Sequence, residues 1–278
     1  MRIFFYVIVF SLILFSGCTT STRDNAEKKA DAAMNIPQDT FHLLCQYWKL
    51  DEADHPTSRD VSFTNEQDIL FQSGIVFMTD SSVLENPAGE MAYGKFTVNG
   101  DTVNVNFEQG RKAIYLISKL NRDSLNMQRI ENGHTSELTY KATHTYWPEA
   151  NKNPFSKSNY QWAEKPQKPE SEEAIKKRLK DNVQFYSYYF KGFINGAADK
   201  IDFIGLPCCL NWYQGGITIQ NENKLDKKWA NCFYSEEQAF KARQILEDVL
   251  LQKYDWDTTQ TSWLKQTVLV LEQIHGRL

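Results

Sequence analysis

Short segments that alternate apolar and polar residues, between residues 41 and 143, limit most strongly what this chain can fold into. Such alternation places one set of side chains in a core and the other in solvent, which is typical of β-strands. It is clearest in 93–98 and 103–107, and Asn99-Gly100-Asp101 between them is typical of a tight hairpin turn. Further strands are predicted at 44–50, 61–63, 69–71, 75–78, 113–120, 124–130 and 137–142.

Evenly spaced antiparallel strands that are joined by short turns predict an up-and-down β-barrel, because closing the sheet removes its exposed edges. After the strand-rich region the apolar residues recur at helical spacing. The predicted fold class is therefore α+β, with an N-terminal antiparallel up-and-down barrel. A mainly helical C-terminal domain with a short β element is expected to follow it.

Three short motifs of the predicted barrel resemble the small lipocalin-like (calycin) domains of bacterial lipoproteins. They are Trp48-Lys49-Leu50, Phe71-Gln72-Ser73-Gly74 and Tyr93-Gly94-Lys95-Phe96, while Gln46 stands where many lipocalins have glycine. In that family the tryptophan of the first strand closes the base of the barrel. The resemblance therefore implies that Trp48 packs there, and a contact with a ligand is the alternative. A shared fold does not establish a ligand, and side chains alone can fill a small eight-stranded barrel.

The N-terminus predicts a secretory signal that ends in a lipid anchor. Arg2 precedes an apolar run over 3–15, and Ser16-Gly17-Cys18 follows it. The run would give roughly 20 Å of helix, which is too short to cross a hydrocarbon core of about 30 Å. Small residues before a cysteine resemble the lipobox of bacterial lipoproteins, although Phe15 replaces the usual leucine. The resemblance implies that Cys18 carries covalent acyl lipid; the alternative is an ordinary signal peptide with a chance cysteine.

Five segments are predicted along the chain. They are a signal peptide at 1–17, a lipid-anchored flexible tether at 18–40, the barrel at 41–146, a Pro-rich linker at 147–170 and an α-rich domain at 171–278. Just after the lipid cysteine, Thr19-Thr20-Ser21-Thr22-Arg23 is not acidic, whereas an acidic stretch there sends lipoproteins to the cell surface in some Gram-negative groups. We therefore expect an outer-membrane protein that faces the periplasm.

Prolines recur through the predicted linker and indicate a semi-stiff, solvated connection. Tyr160 and Trp162 are unusual in such a segment, so we expect them to dock on one of the domains. Ser171 is predicted to cap a helix with an apolar stripe over 175–193, and Gly192 and Gly196 to mark its fraying end. The remaining predicted elements are a buried loop and short strand at 201–219, a helix opened by a capping box at Ser235, and a last helix at 259–275.

Four cysteines remain beyond the anchor, Cys45, Cys208, Cys209 and Cys232. Export would place them in an oxidising compartment, where disulfides persist. A bridge from Cys232 to either Cys208 or Cys209 is the preferred pairing, and closing a loop of that length contributes about 3 kcal/mol. The alternatives are a metal site, which lacks a histidine or Cys-x-x-Cys at ligand spacing, and a thiol catalyst with a distant histidine.

The sequence carries no catalytic motif, since it has no Gly-x-Ser-x-Gly elbow, no His-Glu-x-x-His and no phosphate loop. The five histidines are not at metal-ligand spacing from one another. The formal net charge is −4 with both signs interspersed, which argues against a nucleic-acid partner.

We therefore expect a non-enzymatic lipoprotein that serves as an accessory subunit of an outer-membrane protein complex. Its partners would be the membrane, through the acyl lipid, and other envelope proteins, and we expect no other cofactor or metal. A lipocalin-like binder of a small apolar ligand is the alternative, and it predicts a barrel cavity of about 300 Å³ or more. A hydrolase is the third hypothesis, and it requires a polar cleft with a perturbed titratable pair.

Overall fold

The computed structural model describes most of the chain beyond the predicted tether. The described residues are 40–51, 74–87, 89–196, 206–208, 210–213, 216–219, 225–250, 254–255 and 263–278. All of them belong to one compact unit, Ile36–Leu278. The predicted signal peptide, the tether before Thr40, the acylation site Cys18, the predicted strands at 61–63 and 69–71, and Cys209 lie outside the described residues.

Eight antiparallel strands form a closed barrel in which each strand pairs with the next and the last returns to the first. They are β1 (Tyr47–Leu50), β2 (Gly74–Phe77), β3 (Ser82–Glu85), β4 (Ala92–Asn99), β5 (Thr102–Phe107), β6 (Lys112–Leu120), β7 (Ser124–Glu131) and β8 (His134–Ala142). Between β4 and β5, Asn99 pairs with Thr102, and Gly100 adopts a φ of 60° that suits glycine. The predicted antiparallel up-and-down barrel is confirmed.

One end of the barrel is closed by a short helix, α1 (Thr40–Leu44), that precedes β1. This corrects the predicted strand at 44–50, which begins only at Tyr47. Inward-facing side chains fill the barrel next to this helix. Buried members of this core are Leu44, Trp48, Phe77, Phe96, Val105, Phe107, Tyr115, Leu125 and Met127. The Trp48 indole N–H donates a hydrogen bond to the Leu44 carbonyl at 2.8 Å, which joins α1 to the core.

Much of the outer face of β1, β2 and β3 is also buried, together with Tyr93 at the start of β4, because the rest of the chain packs on it. Tyr47, Val76 and Leu84 point outward from their strands and belong to the same apolar cluster as the C-terminal helices. A strand that is buried on both faces does not show alternating apolar and polar residues in its sequence. This explains why β3, whose sequence is Ser-Val-Leu-Glu, was not predicted from the sequence.

The C-terminal region is mainly helical, as predicted. Its elements are α2 (Lys157–Tyr160), α3 (Glu172–Gly196), β9 (Leu210–Tyr213), β10 (Gly216–Ile219), α4 (Lys227–Ala230), α5 (Glu236–Val249), β11 (Tyr254–Asp255) and α6 (Trp263–Arg277). The three strands form a small antiparallel sheet in the order β11-β10-β9. No helix in the described ranges is both long and apolar enough to cross a membrane.

Two predicted helix caps are confirmed by hydrogen bonds. The Ser171 hydroxyl accepts from the Ala174 amide at 3.3 Å, and the Ser235 hydroxyl accepts from the Gln238 amide at 3.4 Å. The Gln238 side chain does not complete a capping box. Instead, it donates to the Glu170 carbonyl at 2.8 Å and accepts from the Glu170 amide, so it joins the start of α5 to the chain just before α3.

Aromatic residues after the barrel pack between β1–β4 and α3. The ring of Phe155 lies 5.1 Å from that of Tyr47 and 5.5 Å from that of Phe185, and Tyr160 stacks on Phe185 at 4.9 Å. Of the two glycines predicted at the end of this helix, Gly196 is its last residue, whereas Gly192 lies inside it. Gly192 faces the same aromatic region, and a β-carbon there would collide with the Trp147 indole. The missing side chain therefore lets α3 lie close to the chain that leaves the barrel.

Candidate functional site

The end of the barrel away from α1 holds a cavity of about 540 Å³, which we call the mouth pocket. It lies where β1, β3, β5 and β7 end, so the inward-facing residues at those strand ends line it. Its polar lining includes Glu85, Asn86, Glu90, Arg111 and Arg129, and its apolar lining includes Leu50, Met91 and Leu138. The pocket therefore combines charged groups with an apolar wall.

Two glutamates and two arginines form a closed ring of alternating charges, which we call the charge ring. Glu85, Arg111 and Arg129 of this ring line the mouth pocket, and Glu131 completes it from outside the lining. Arg111 pairs with Glu85, and its Nη1 lies 3.3 Å from both carboxylate oxygens of Glu131. Arg129 Nη1 lies 3.2 Å from Glu85 Oε1, and its Nη2 pairs with Glu131. Each guanidinium therefore bridges both carboxylates. The Glu85 side chain is only 9% exposed, so its pairing offsets a large desolvation cost.

Aromatic side chains of the barrel interior contact the charge ring. The Tyr115 hydroxyl donates to Glu85 Oε1 at 2.9 Å, and burial followed by the nearby Glu85 charge raises the pKa of Tyr115 well above its ordinary value. Tyr115 therefore stays a hydrogen-bond donor. The Arg111 guanidinium lies over the Phe107 ring at 3.8 Å, a cation–π contact. Burial alone would lower the pKa of Arg129, but Tyr115, Glu85 and Glu131 outweigh it and raise that pKa.

The chemistry of the charge ring favours binding over catalysis. Both carboxylates accept charge-assisted hydrogen bonds from both guanidinium groups, so neither is poised as a general base or nucleophile. With two positive and two negative side chains, the ring is electrically neutral. It therefore provides a polar surface of fixed geometry. Because the ring contributes no net charge, the residues around the rim determine which charge the pocket favours.

The loop between β3 and β4 forms one side of the rim and is held from two directions. Asn86 has a left-handed φ of 53°, and its backbone amide donates to the Gly74 carbonyl at 2.9 Å. The Gly89 amide donates to the Asn86 carbonyl at 3.0 Å, which closes a turn. The buried Tyr160 hydroxyl donates to the Pro87 carbonyl. The helical region thus fixes the position of a loop at the barrel mouth.

Two polar side chains of this loop remain unused. Asn86 is 5% exposed and Glu90 is exposed at the rim, and both line the mouth pocket. Within the described ranges, neither the Asn86 amide nor the Glu90 carboxylate has a hydrogen-bond or ion-pair partner. The Asn86 amide is absent from the buried side-chain atoms that lack a partner, so it keeps some contact with the pocket space and can donate to and accept from a bound group there.

The sequence-predicted site residues lie elsewhere. Trp48 is fully buried at the α1 end and does not line the mouth pocket. Cys208 and Cys232 are thiols in the structure, and burial raises the pKa of Cys232 to about 12. A disulfide from Cys232 to Cys208 or Cys209 stays a prediction, and mass spectrometry of a non-reduced digest would test it.

Metal chemistry finds no support in the part of the chain that the structure describes. No group of three or more His, Cys, Asp or Glu side chains there could hold a metal ion. Of the histidines, His144 contacts Asp123 at 3.5 Å. Cys45 is partly buried, and burial followed by the Asp80 charge raises its thiol pKa to about 12, so this thiol is unreactive at neutral pH.

Sequence reasoning missed the charge ring, although one signal for part of it exists. Alternate residues of a β-strand face the same side of the sheet. On β7, Leu125 and Met127 are buried in the barrel, so Arg129 and Glu131, which follow at the same two-residue spacing, face inward as well. Charged residues at inward positions near a strand end mark a polar barrel mouth. Glu85 gives no such signal, because the strand that carries it was not predicted.

Comparison of the chain with protein-family models, with curated proteins and with solved structures finds no match. The likeness to lipocalin-like domains therefore rests on the closed barrel of eight antiparallel strands.

Proposed function

We propose that this protein is a non-enzymatic lipoprotein of the bacterial envelope, and that it works as an accessory subunit of an outer-membrane protein complex. Acyl lipid on Cys18 would hold it at the membrane, facing the periplasm. The barrel mouth would be a contact site for the partner protein. The observation that carries the proposal is a polar pocket of about 540 Å³ at the end of the barrel away from α1, above an interior that side chains fill.

The position of the pocket favours a protein partner over an enclosed small molecule. Because side chains such as Phe77, Phe96 and Met127 occupy the interior, the described part of the barrel leaves room for a bound group at the mouth and not deeper inside. That arrangement suits a side chain or loop that projects from a larger partner. The fixed β3–β4 loop supports this reading, since a preformed site loses less entropy on binding.

Co-purification tests this proposal. The tagged full-length protein, expressed at its native abundance, is extracted in mild detergent and its partners are identified by mass spectrometry. We expect at least one envelope protein at a defined stoichiometry. A clean monomer under these conditions would contradict the proposal. Metabolic labelling with a clickable fatty acid, compared with a Cys18→Ser variant, tests the anchor separately.

A second candidate is a binder of a small apolar ligand, as in the lipocalin-like domains. The apolar wall that Leu50, Met91 and Leu138 give to the mouth pocket favours it. It predicts that organic extraction of the purified protein releases a defined apolar compound in about equimolar amount. Recovery of none would remove this candidate.

A further inference from the structure

The chemistry of the mouth pocket defines the kind of group that it can accept. The charge ring sums to zero, with Glu85 and Glu131 balancing Arg111 and Arg129. Among the charged residues that line the pocket, Glu85, Arg111 and Arg129 are held in ion pairs of the charge ring, whereas Glu90 at the rim has no ion-pair partner. A cationic group is therefore favoured, while an anionic group would meet Glu90 and two arginines that are already paired with carboxylates. The buried Nε of Arg129 has no acceptor, and a neutral carbonyl oxygen could supply one.

A metal ion is a poor occupant of this site. Calcium takes about six to eight oxygen ligands and magnesium needs a near-octahedral set. Among the described pocket residues, the partner-free oxygens are those of one carboxylate, Glu90, and the neutral oxygens of Asn86, Gln109, Ser136 and Tyr140. No group of three or more acidic, histidine or cysteine side chains among the described residues could hold a metal ion. An organic cation needs fewer partners, because three hydrogen-bond donors complete an ammonium group.

We propose that the mouth pocket binds a primary ammonium group next to an amide, as a lysine side chain on a polypeptide presents them. The Glu90 carboxylate accepts from the ammonium, and the Asn86 amide both donates to and accepts from the neighbouring peptide group. Asn86 is suited to this role, since the left-handed turn and the bond to Gly74 fix its backbone. This inference rests on the proposed function and names the part of the partner that enters the barrel.

Methionine methyl groups provide a direct reporter of binding. Met91 lines the mouth pocket, whereas Met127 lies in the filled barrel interior and Met78 in the cluster under the helices. The full chain, labelled with ¹³C at the methionine methyls and kept in mild detergent, is titrated with Nα-acetyl-lysine amide. The matched probe is Nα,Nε-diacetyl-lysine amide, which keeps the amides and lacks the charge. A Met91→Leu variant assigns the signal.

Three variants separate the roles of the groups. Glu90→Gln removes the charge and keeps the shape, and we expect it to weaken binding of the charged probe about tenfold. Asn86→Gly keeps the left-handed backbone and removes only the amide, so we expect a weakening of about threefold. Glu137→Gln on the outer face of β8 is the matched control, because this exposed glutamate does not line the pocket, and it should leave binding unchanged.

The expected result is a saturable shift of the Met91 signal with the charged probe and none with the diacetylated probe. No Met91 shift, equal shifts with both probes, or equal binding to the Glu90→Gln and Glu137→Gln proteins would overturn the inference. Its failure is distinguishable from failure of the proposed function. Binding of the charged probe without any co-purified partner contradicts the accessory-subunit role and leaves the inference standing. A partner retained equally by the Glu90→Gln and Glu137→Gln proteins contradicts the inference and the contact at the mouth, and it leaves the accessory-subunit role standing.

Discussion

The two ends of the barrel are built from different chemistry. At the α1 end, apolar and aromatic side chains such as Trp48 and Phe96 close the interior, and the polar N–H of the indole is bonded to Leu44. At the mouth, inward positions carry the charge ring, and the loop above it keeps Asn86 and Glu90 unpaired. An apolar end needs only packing, whereas a polar end costs free energy unless its groups are paired. We therefore expect the closed end to contribute most to stability, and we place the proposed partner contact at the mouth.

The largest expected effect is at the closed end. Trp48→Ala would leave a cavity in a fully buried core, so we expect the free energy of unfolding to fall by about 4 kcal/mol. Urea unfolding of the full chain in detergent measures this change, with Tyr146→Ala, at a side chain that is 51% exposed, as the control. A loss below about 1 kcal/mol would show that the closed end is not what stabilises the barrel.

A smaller loss is expected from breaking the charge ring. Glu85→Gln leaves two guanidinium groups with a single carboxylate, and we expect a loss of about 2 kcal/mol because both arginines keep partial contact with water. Glu137→Gln, at an exposed carboxylate that accepts from Gln128 at 2.8 Å, should change stability by less than about 0.5 kcal/mol. If both substitutions lowered the free energy of unfolding equally, the ion pairs of the charge ring would not contribute to stability.

Tyr115→Phe tests the hydrogen bond that supports the ring. The loss of one bond to Glu85 should cost about 1 kcal/mol at neutral pH. The folded-state pKa of Tyr115 is raised, so the unfolded chain releases this proton first and the stabilisation declines as the pH rises above about 10. Unfolding measured at several pH values from 8 upward should therefore show a shallower alkaline decline in the variant. An unchanged slope would contradict this role.

Glu90→Gln should have the smallest effect on stability. The Glu90 carboxylate is exposed and has no partner among the described residues, so the free energy of unfolding should change by less than about 0.5 kcal/mol. Thermal and urea unfolding of the variant, run beside the wild-type protein, measure it. If Glu90→Gln lowered the free energy of unfolding as much as Glu85→Gln does, Glu90 would have to form ion pairs with the charge ring. The distinction between paired ring residues and the unpaired Glu90 would then be wrong.

How much of the fold the sequence predicts depends on which faces of a strand are buried. β4 and β5 were predicted because Thr97 and Asn104 face solvent between buried neighbours. β3 was missed because Val83 faces the barrel interior and Leu84 the helical region, so both faces are apolar. That outer contact depends on residues more than fifty positions further along the chain, such as Phe155, which a local pattern does not contain.

The candidate site was harder to predict from the sequence than the fold. Charged residues in a strand are ordinarily assigned to the solvent face, and only the two-residue step from Met127 shows that Arg129 points inward. The pairing of Arg111 and Arg129 with Glu85 joins three different strands or turns, so it needs the closed barrel. Nothing in the local sequence around Asn86 indicates that its amide lacks a partner.

The most direct test of the division between a stabilising end and a binding end is a quantitative co-purification. Tagged full-length Glu90→Gln and Glu137→Gln proteins, matched in abundance and in unfolding free energy, are extracted in the same mild detergent as the wild-type protein. We expect the Glu137→Gln protein to recover its partner at the wild-type level and the Glu90→Gln protein to recover about a tenth of it. Equal recovery by both variants would contradict the assignment of binding to the barrel mouth.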